Sequence, residues 1–384
     1  MSNSRLVVLA NKTGKKLAEK ICEDMGLDQD LINIQRFNDT EILPELKESV
    51  RDADVFYICP FYPDPKGRLV ETMFVADALR CSVPERKIAM PTYLGFMRSD
   101  KPEGRTSINI RKVAETFEND GWDYVASIHI HNKAIYSAFR IPFDSFLPTK
   151  FFRKYIDELV KESNDKKEDF VIVAPDLGRA GYAEKFADEV GIGNFAIIYK
   201  VRPSPGEAMA KYLLGDVKNK NAIIVDDILD TGGTVIEAAR LCEEKGANSI
   251  YVVMTHGIFS KKIRKANEKE EPVETIYIES FEKDKEDLKE DLQRILQYNG
   301  FEPRTYRVIA EDTREERFYT LEPAEYRLKN SPIERVIVTD TIPRSEWYLE
   351  ENKDWLTQVS IVPLLEEIID RVHYKKSLAP LHKQ

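Results

Sequence analysis

The sequence predicts an α/β protein built from two doubly wound units in tandem, and three observations predict it. Short β-branched apolar runs alternate with amphipathic helical segments from the first strand onward. The alternation starts afresh beyond residue 150, after a helix and a charged loop. One later strand, Asn221 to Val225, runs straight into two acids, a glycine pair and a helix, the arrangement that opens a ligand crevice at the carboxyl end of a parallel strand.

In the first unit, strand signals at Leu6–Ala10, Ile32–Arg36, Asp54–Cys59, Lys87–Thr92 and Tyr124–His131 are separated by helical patterns at Lys12–Met25, Leu69–Arg80 and Ile110–Glu118. An extended segment at Ile141–Phe146 and a helix at Phe151–Ser163 follow. The second unit opens with Phe170–Ala174 and continues through strands at Phe195–Tyr199, Asn221–Val225 and Ser249–Met254, which places the domains at 1–150 and 151–384. Between 261 and 330 the composition turns to dense mixed charge. The alternation of Val273–Ile278 and the helical face of Leu288, Leu292, Ile295 and Leu296, with Gly300 at the capping position, predict a small folded α+β insertion there. A strand at Arg335–Thr339 resumes the pattern. The last amphipathic helix, within 360–375, is a candidate to pack on the first domain.

A chain of 384 residues is long enough for two cores. Its net charge of −10 and lack of a long basic tract argue against duplex nucleic acid or an anionic membrane as the main partner, and leave small molecules. Cys22, Cys59, Cys81 and Cys242 are widely separated and read as reduced thiols of a cytoplasmic protein. No apolar run approaches the roughly 20 residues of a membrane span, and Met1–Arg5 leads directly into a strand without a signal-peptide core.

The chemistry concentrates at Asp226, Asp227 and Asp230-Thr231-Gly232-Gly233-Thr234. Free backbone N–H groups at a helix N-terminus, glycines that admit close approach and two threonine hydroxyls suit a phosphate. The two upstream aspartates suit ribose hydroxyls or a hydrated Mg²⁺. The plainer alternative is a tight turn whose aspartates cap the helix. Lys200 and Arg202 end a strand before the breaker-rich Pro203–Gly206, either as solvated charges or as stabilisers of charge on a transferred phosphoryl group. His129 and His131 share one face of the predicted strand, and Asp176 ends another. A metal site at His131 and Asp176 competes with an ordinary pair of hydrogen-bonded histidines. Phe37, Asp39 and Glu41 in one segment, and Arg98, Asp100 and Lys101 in another rich in aromatics, supply the parts of a nucleotide pocket.

Arg36-Phe37-Asn38-Asp39-Thr40-Glu41, Tyr93-Leu94-Gly95-Phe96-Met97-Arg98, Ala174-Pro175-Asp176, Lys200-Val201-Arg202, Val225 to Thr234, Thr255 to Ser260 and Val338 to Pro343 occur in this order. Together they make the chain outside the insertion resemble the ribose-phosphate pyrophosphokinases, or phosphoribosyl-pyrophosphate synthetases. That resemblance implies two tandem phosphoribosyltransferase-type domains and transfer of the β,γ-pyrophosphoryl group of Mg-ATP to the 1-hydroxyl of ribose 5-phosphate. It implies self-association, as dimer or hexamer, with Phe37, Asp39 and Glu41 given to a neighbour's ATP. Arg98 would then bind the ATP phosphates with Asp100 and Lys101 nearby, Lys200 and Arg202 would be the catalytic cations, and the Asp226–Thr234 segment would hold the ribose phosphate. His131 and Asp176 would ligate Mg²⁺, with Mn²⁺ an alternative.

Several positions depart from the family: Thr40 replaces its glycine, His129 an acid, Ser99 a glutamine and Arg179 the second glycine after Asp176. Arg179 and the insertion motivate a second reading, in which the acceptor is a 5-substituted ribose such as ADP-ribose and the product serves NAD rebuilding. A third reading, from another class, is a non-catalytic regulatory subunit of a synthetase.

Overall fold

The computed structural model describes residues 4–102, 104–201, 210–266, 272–278, 301–310 and 316–382. The chain begins with β1 (Arg5–Ala10), α1 (Lys15–Met25), the hairpin β2 (Ile32–Arg36) and β3 (Ile42–Leu46), β4 (Ala53–Ile58), α2 (Pro65–Ser82), β5 (Arg86–Met90), α3 (Asn109–Asn119), β6 (Tyr124–Ile128) and β7 (Phe143–Phe146). It continues with α4 (Thr149–Glu162), β8 (Phe170–Ala174), α5 (Ala180–Val190), β9 (Phe195–Val201), β10 (Ala210–Leu214), β11 (Asn221–Leu229), α6 (Gly233–Glu244) and β12 (Ile250–Gly257). After β13 (Lys262–Lys265), β14 (Glu274–Ile278), β15 (Arg304–Ala310) and β16 (Glu316–Glu322), a short helix at Ala324–Lys329 leads to β17 (Arg335–Thr339) and β18 (Leu356–Val359). The helix Val362–His373 follows.

Two sheets carry the molecule. The first has order β1-β4-β5-β6-β7 and is parallel throughout. The second has order β10-β9-β8-β11-β12-β17-β18, with only β10 antiparallel. Strands such as β4 and β8 are buried along their whole length, because helices cover both faces of a doubly wound sheet and leave no side for alternating polar residues. Each sheet accordingly has an apolar layer on either face.

The helix Val362–His373 returns to the first sheet, where Leu365, Ile368 and Ile369 pack with Val8, Ile21 and Phe56. Its end is fixed by charge. Asp54 is fully buried, accepts two hydrogen bonds from Arg86 at 2.8 and 2.6 Å, and lies 2.7 Å from His373 Nδ1. Arg86 also donates to the Val372 carbonyl, so this buried carboxylate ties β4, β5 and the helix together.

Two local expectations change, and one strand is added. The predicted strand Tyr124–His131 stops at Ile128, because His129 adopts φ 41° and leaves the pleat, so His129 and His131 do not share a strand face. The strand predicted to end at Val225 instead continues through Asp226 and Asp227 to Leu229, held by β12 in parallel register. The hairpin strand β3 has Pro44 at its centre, tolerated because the two-stranded sheet gives it an edge. In the 261–330 segment, β13-β16-β15-β14 form a separate four-stranded sheet. The helical face of Leu288, Leu292, Ile295 and Leu296, with Gly300, lies outside the described residues. Among the described residues no helix is long and apolar enough to cross a membrane.

Candidate functional site

The carboxyl ends of β6, β8 and β11 converge where the two sheets meet. A cleft of about 320 Å³ opens there, lined by Arg98, His131, Asp176, Arg179 and the run from Asp226 to Val235. A larger cleft of about 880 Å³ adjoins it and shares His131, Asp176 and Arg179 as its border while adding Lys101.

The Asp226–Thr234 wall is local structure. Asp226 and Asp227 are the last acidic positions of β11, and the chain turns at Asp230–Gly232 into α6. Gly232 sits at the helix N-cap with φ 77°, a conformation that a side chain would strain. A Cβ there would also lie 3.3 Å from Leu328, so the helix Ala324–Lys329 closes over the turn. From that helix Arg327 Nη1 donates to the Thr231 carbonyl. The guanidinium lies beside the phosphate-type loop and has no carboxylate partner among the described residues. On the other side, Arg98 pairs with Asp230 at 2.7 Å.

The opposite wall is assembled from separate elements. His131 Nδ1 lies 2.7 Å from Asp227 Oδ2. Arg179, in the turn before α5, places Nη2 2.7 Å from His131 Nδ1 and 3.3 Å from Nε2, and its Nη1 donates to the His131 carbonyl at 3.0 Å. The same guanidinium lies 2.9 Å from Asp226 Oδ1 and 3.4 Å from Asp227 Oδ2. Asp176 caps this turn and accepts from the Arg179 amide at 3.2 Å.

Charge divides unequally over the two aspartates. Burial raises both, but the His131 hydrogen bond and the Arg179 guanidinium pull Asp227 below the usual carboxylate range. Burial and the adjacent Asp227 carboxylate push Asp226 up, against the opposing pull of Arg179. His129 borders the larger cleft. It is buried, its Nδ1 lies 2.5 Å from the Thr255 hydroxyl, and burial pushes it down to about 3, so it is a neutral structural group.

Of the remaining candidates, Lys101 lines the larger cleft, and Asp100 has a buried carboxylate oxygen without a hydrogen-bond partner. Phe37, Asp39 and Glu41 form the exposed tip of the β2–β3 hairpin and line neither cleft. The tip is held by Phe37 N to Glu41 O at 2.9 Å and by Asp39 accepting from the Glu41 amide at 3.1 Å. Thr40 has φ 77° there, which explains why a glycine suits that position. Lys200 lies on β9 opposite Lys211 of β10, and Arg202 lies outside the described residues. Sequence reasoning missed Arg327, which lies 96 positions from its partner, and missed that Arg179 bridges three of the expected site residues. The glycine-to-arginine departure was the signal for Arg179; the insertion gave none for Arg327.

Residues 6–121 match the family model of the N-terminal domain of ribose phosphate pyrophosphokinase, and residues 144–291 that of the phosphoribosyl transferase domain. The chloroplastic ribose-phosphate pyrophosphokinase 2 of Arabidopsis thaliana is 34% identical over 260 residues, which is 67% of this chain and 64% of that protein. The match thus spans slightly less than two thirds of the Arabidopsis relative. A ribose-phosphate pyrophosphokinase of Prochlorococcus marinus subsp. pastoris is 33% identical over 261 residues, 68% of this chain and 77% of that one. The crystal structure of a phosphoribosylpyrophosphate synthetase from Mycobacterium smegmatis superposes with a TM-score of 0.72 at 28% identity, covering 97% of this chain and all of the other. With the strand, acidic pair and glycine turn in place at the junction of two such domains, the chain belongs to the ribose-phosphate pyrophosphokinase family.

Proposed function

We propose that this protein transfers the β,γ-diphosphoryl group of Mg-ATP to the 1-hydroxyl of ribose 5-phosphate, giving phosphoribosyl pyrophosphate and AMP. The observation that carries this reading is the Asp226–Thr234 wall, an anion site at a helix N-terminus continuous with two carboxylates, opening beside a second and larger cleft. The backbone amides and hydroxyls of Asp230–Thr234 hold the 5-phosphate. Asp226 and Asp227 accept the ribose hydroxyls and so fix which face of the sugar presents its anomeric oxygen. That oxygen bonds to the β-phosphorus of ATP as the bond between this phosphorus and the α,β-bridging oxygen breaks, and AMP leaves with the bridging oxygen. The hydroxyl proton is released to solvent.

Such a transfer depends mostly on alignment and on neutralising charge on the moving phosphoryl oxygens. Arg98 and Lys101 attract the triphosphate, with Asp100 beside them, and Lys200 and Arg202 neutralise the transferred group. The divalent ion enters as part of the Mg-ATP substrate. Among the described residues no three His, Cys, Asp or Glu side chains converge as a metal centre. Phe37, Asp39 and Glu41, exposed on a hairpin tip away from both clefts, serve the nucleotide of a second copy of the chain, which makes self-association part of the proposal.

The test is incubation of the purified protein with Mg-ATP and either ribose 5-phosphate or ADP-ribose, followed by mass spectrometry. AMP together with a diphosphorylated ribose 5-phosphate is expected. AMP formed only with ADP-ribose would replace the acceptor, and no AMP with either would remove the catalytic reading.

A further inference from the structure

Of His131 and Asp176, the two ligands that the family resemblance implies for a divalent ion, His131 is committed to other partners and Asp176 has one carboxylate oxygen engaged. The His131 ring faces Asp227 at 2.7 Å and carries the Arg179 guanidinium against both ring nitrogens, at 2.7 and 3.3 Å. Asp176 spends a carboxylate oxygen on the Arg179 amide. The carboxylates that would share such an ion, Asp226 and Asp227, take the same guanidinium at 2.9 and 3.4 Å. A fixed cation thus stands among these groups already.

Mg²⁺ binds hard oxygen ligands in a near-octahedral shell and keeps several of its waters. A guanidinium within hydrogen-bond distance of the imidazole leaves no room for that shell, and its charge opposes a second cation at such range. With Arg179 among these donors, the site does not fit a protein-held divalent ion. Arg179 is well suited to replace one. Its side chain is only 12% exposed, its planar fork spreads one charge over two carboxylates, and the bond to the His131 carbonyl fixes its plane.

We propose that Arg179 is a built-in cation that takes the place of a protein-bound divalent ion between the acceptor loop and His131. The charge of Asp226 and Asp227 is then balanced by a residue of the chain rather than by an ion that exchanges with solvent. The turn before α5 delivers this cation, since the Asp176 cap sets where the Arg179 backbone starts. The inference concerns the same cleft as the proposed function. Its test uses no substrate, so a failed diphosphoryl transfer leaves it standing and its own failure leaves the transfer reading standing.

The experiment is Mn²⁺ titration of the nucleotide-free protein, with free Mn²⁺ followed by electron paramagnetic resonance. Wild type, Arg179→Ala, Arg179→Lys, His131→Ala and the double variant Arg179→Ala/His131→Ala are compared, with circular dichroism confirming the fold of each. Arg179→Ala is expected to gain one Mn²⁺ site per chain, at least roughly tenfold tighter than any in wild type, as for changes to groups touching a metal ligand. The double variant should lose it, and Arg179→Lys, which keeps the charge, should not gain it. A wild-type site that His131→Ala abolishes would overturn the proposal without any Arg179 variant, and so would a folded Arg179→Ala that gains no site.

Discussion

One wall of the cleft, Asp226 to Thr234, is a single strand, turn and helix. The facing wall draws His131 from the end of one sheet and Asp176 and Arg179 from the other. The first wall takes its geometry from neighbours in sequence, from β11 paired between β8 and β12 and from free amides at the start of α6. The second has its geometry only because the two sheets dock, and a single substitution can recast it. Arg179 does so: one residue draws His131, Asp176, Asp226 and Asp227 into a single cluster. A contiguous site resists single changes better than an assembled one, because its parts cannot be repositioned independently.

Removing the carboxylate on which the assembled wall converges gives the largest contrast. Asp227→Ala leaves His131 without its acceptor and the enclosed Arg179 with Asp226 alone, a loss of about 3–5 kcal/mol of stability, as for a buried pair broken on one side. Thr234→Ala, at an exposed position of the contiguous wall, should stay within about 0.5 kcal/mol of wild type. Urea unfolding measures both, and adding Arg179→Ala to Asp227→Ala should restore part of the loss. Equal destabilisation by Asp227→Ala and Thr234→Ala would mean that the contacts of Asp227 to the assembled wall add nothing to stability.

Chemistry should separate from stability at Lys200. Alanine there is expected to lower kcat by roughly 10²–10³ while leaving the unfolding midpoint unchanged, as when one preorganised charge-stabilising donor is removed. An unchanged kcat would take Lys200 out of the mechanism.

The same contrast explains what could be read from the sequence. Val225 to Thr234 was legible because strand, acids, glycines and helix follow one another, although the strand runs four residues further than its apolar signal. His129 and His131 were misread as sharing a face, because alternation was extended past Ile128 into a residue with φ 41°. The partnership of Arg179 with Asp226 and Asp227 depends on docking of distant strands, which local pattern does not encode. Likewise β3 escaped notice because Pro44 argues against a strand unless its edge position is known.

Arg327 tests whether the contiguous wall is truly self-contained, since the segment after β16 lends it a guanidinium beside Thr231. Arg327→Ala should raise KM for ribose 5-phosphate about tenfold with kcat largely kept, as expected for one charged hydrogen bond to a phosphate. Arg327→Lys should recover part of the affinity. An unchanged KM would confine Arg327 to holding the helix Ala324–Lys329 over Gly232.

The smallest expected effect probes the docking on which the assembled wall depends. His256 on β12 is fully buried between the sheets, 3.1 Å from the His129 carbonyl through Nε2 and 2.9 Å from the Thr341 hydroxyl through Nδ1. Burial pushes it down to about 4, well under the value of about 6.5 for an unfolded histidine. Between these values the unfolded chain binds a proton that the folded chain refuses. Stability from this group is therefore complete above the unfolded value and declines as pH falls toward the folded one. The loss should be on the order of 1 kcal/mol by about pH 5.5, above the range where most carboxylates titrate. Thermal unfolding of wild type and His256→Asn at about pH 7 and about pH 5.5 isolates it. The variant, which keeps a donor but cannot take up the proton, should show the smaller drop in midpoint. Parallel drops would mean that the acid sensitivity of the molecule lies in groups other than His256, and that His256 is only a spacer between the sheets.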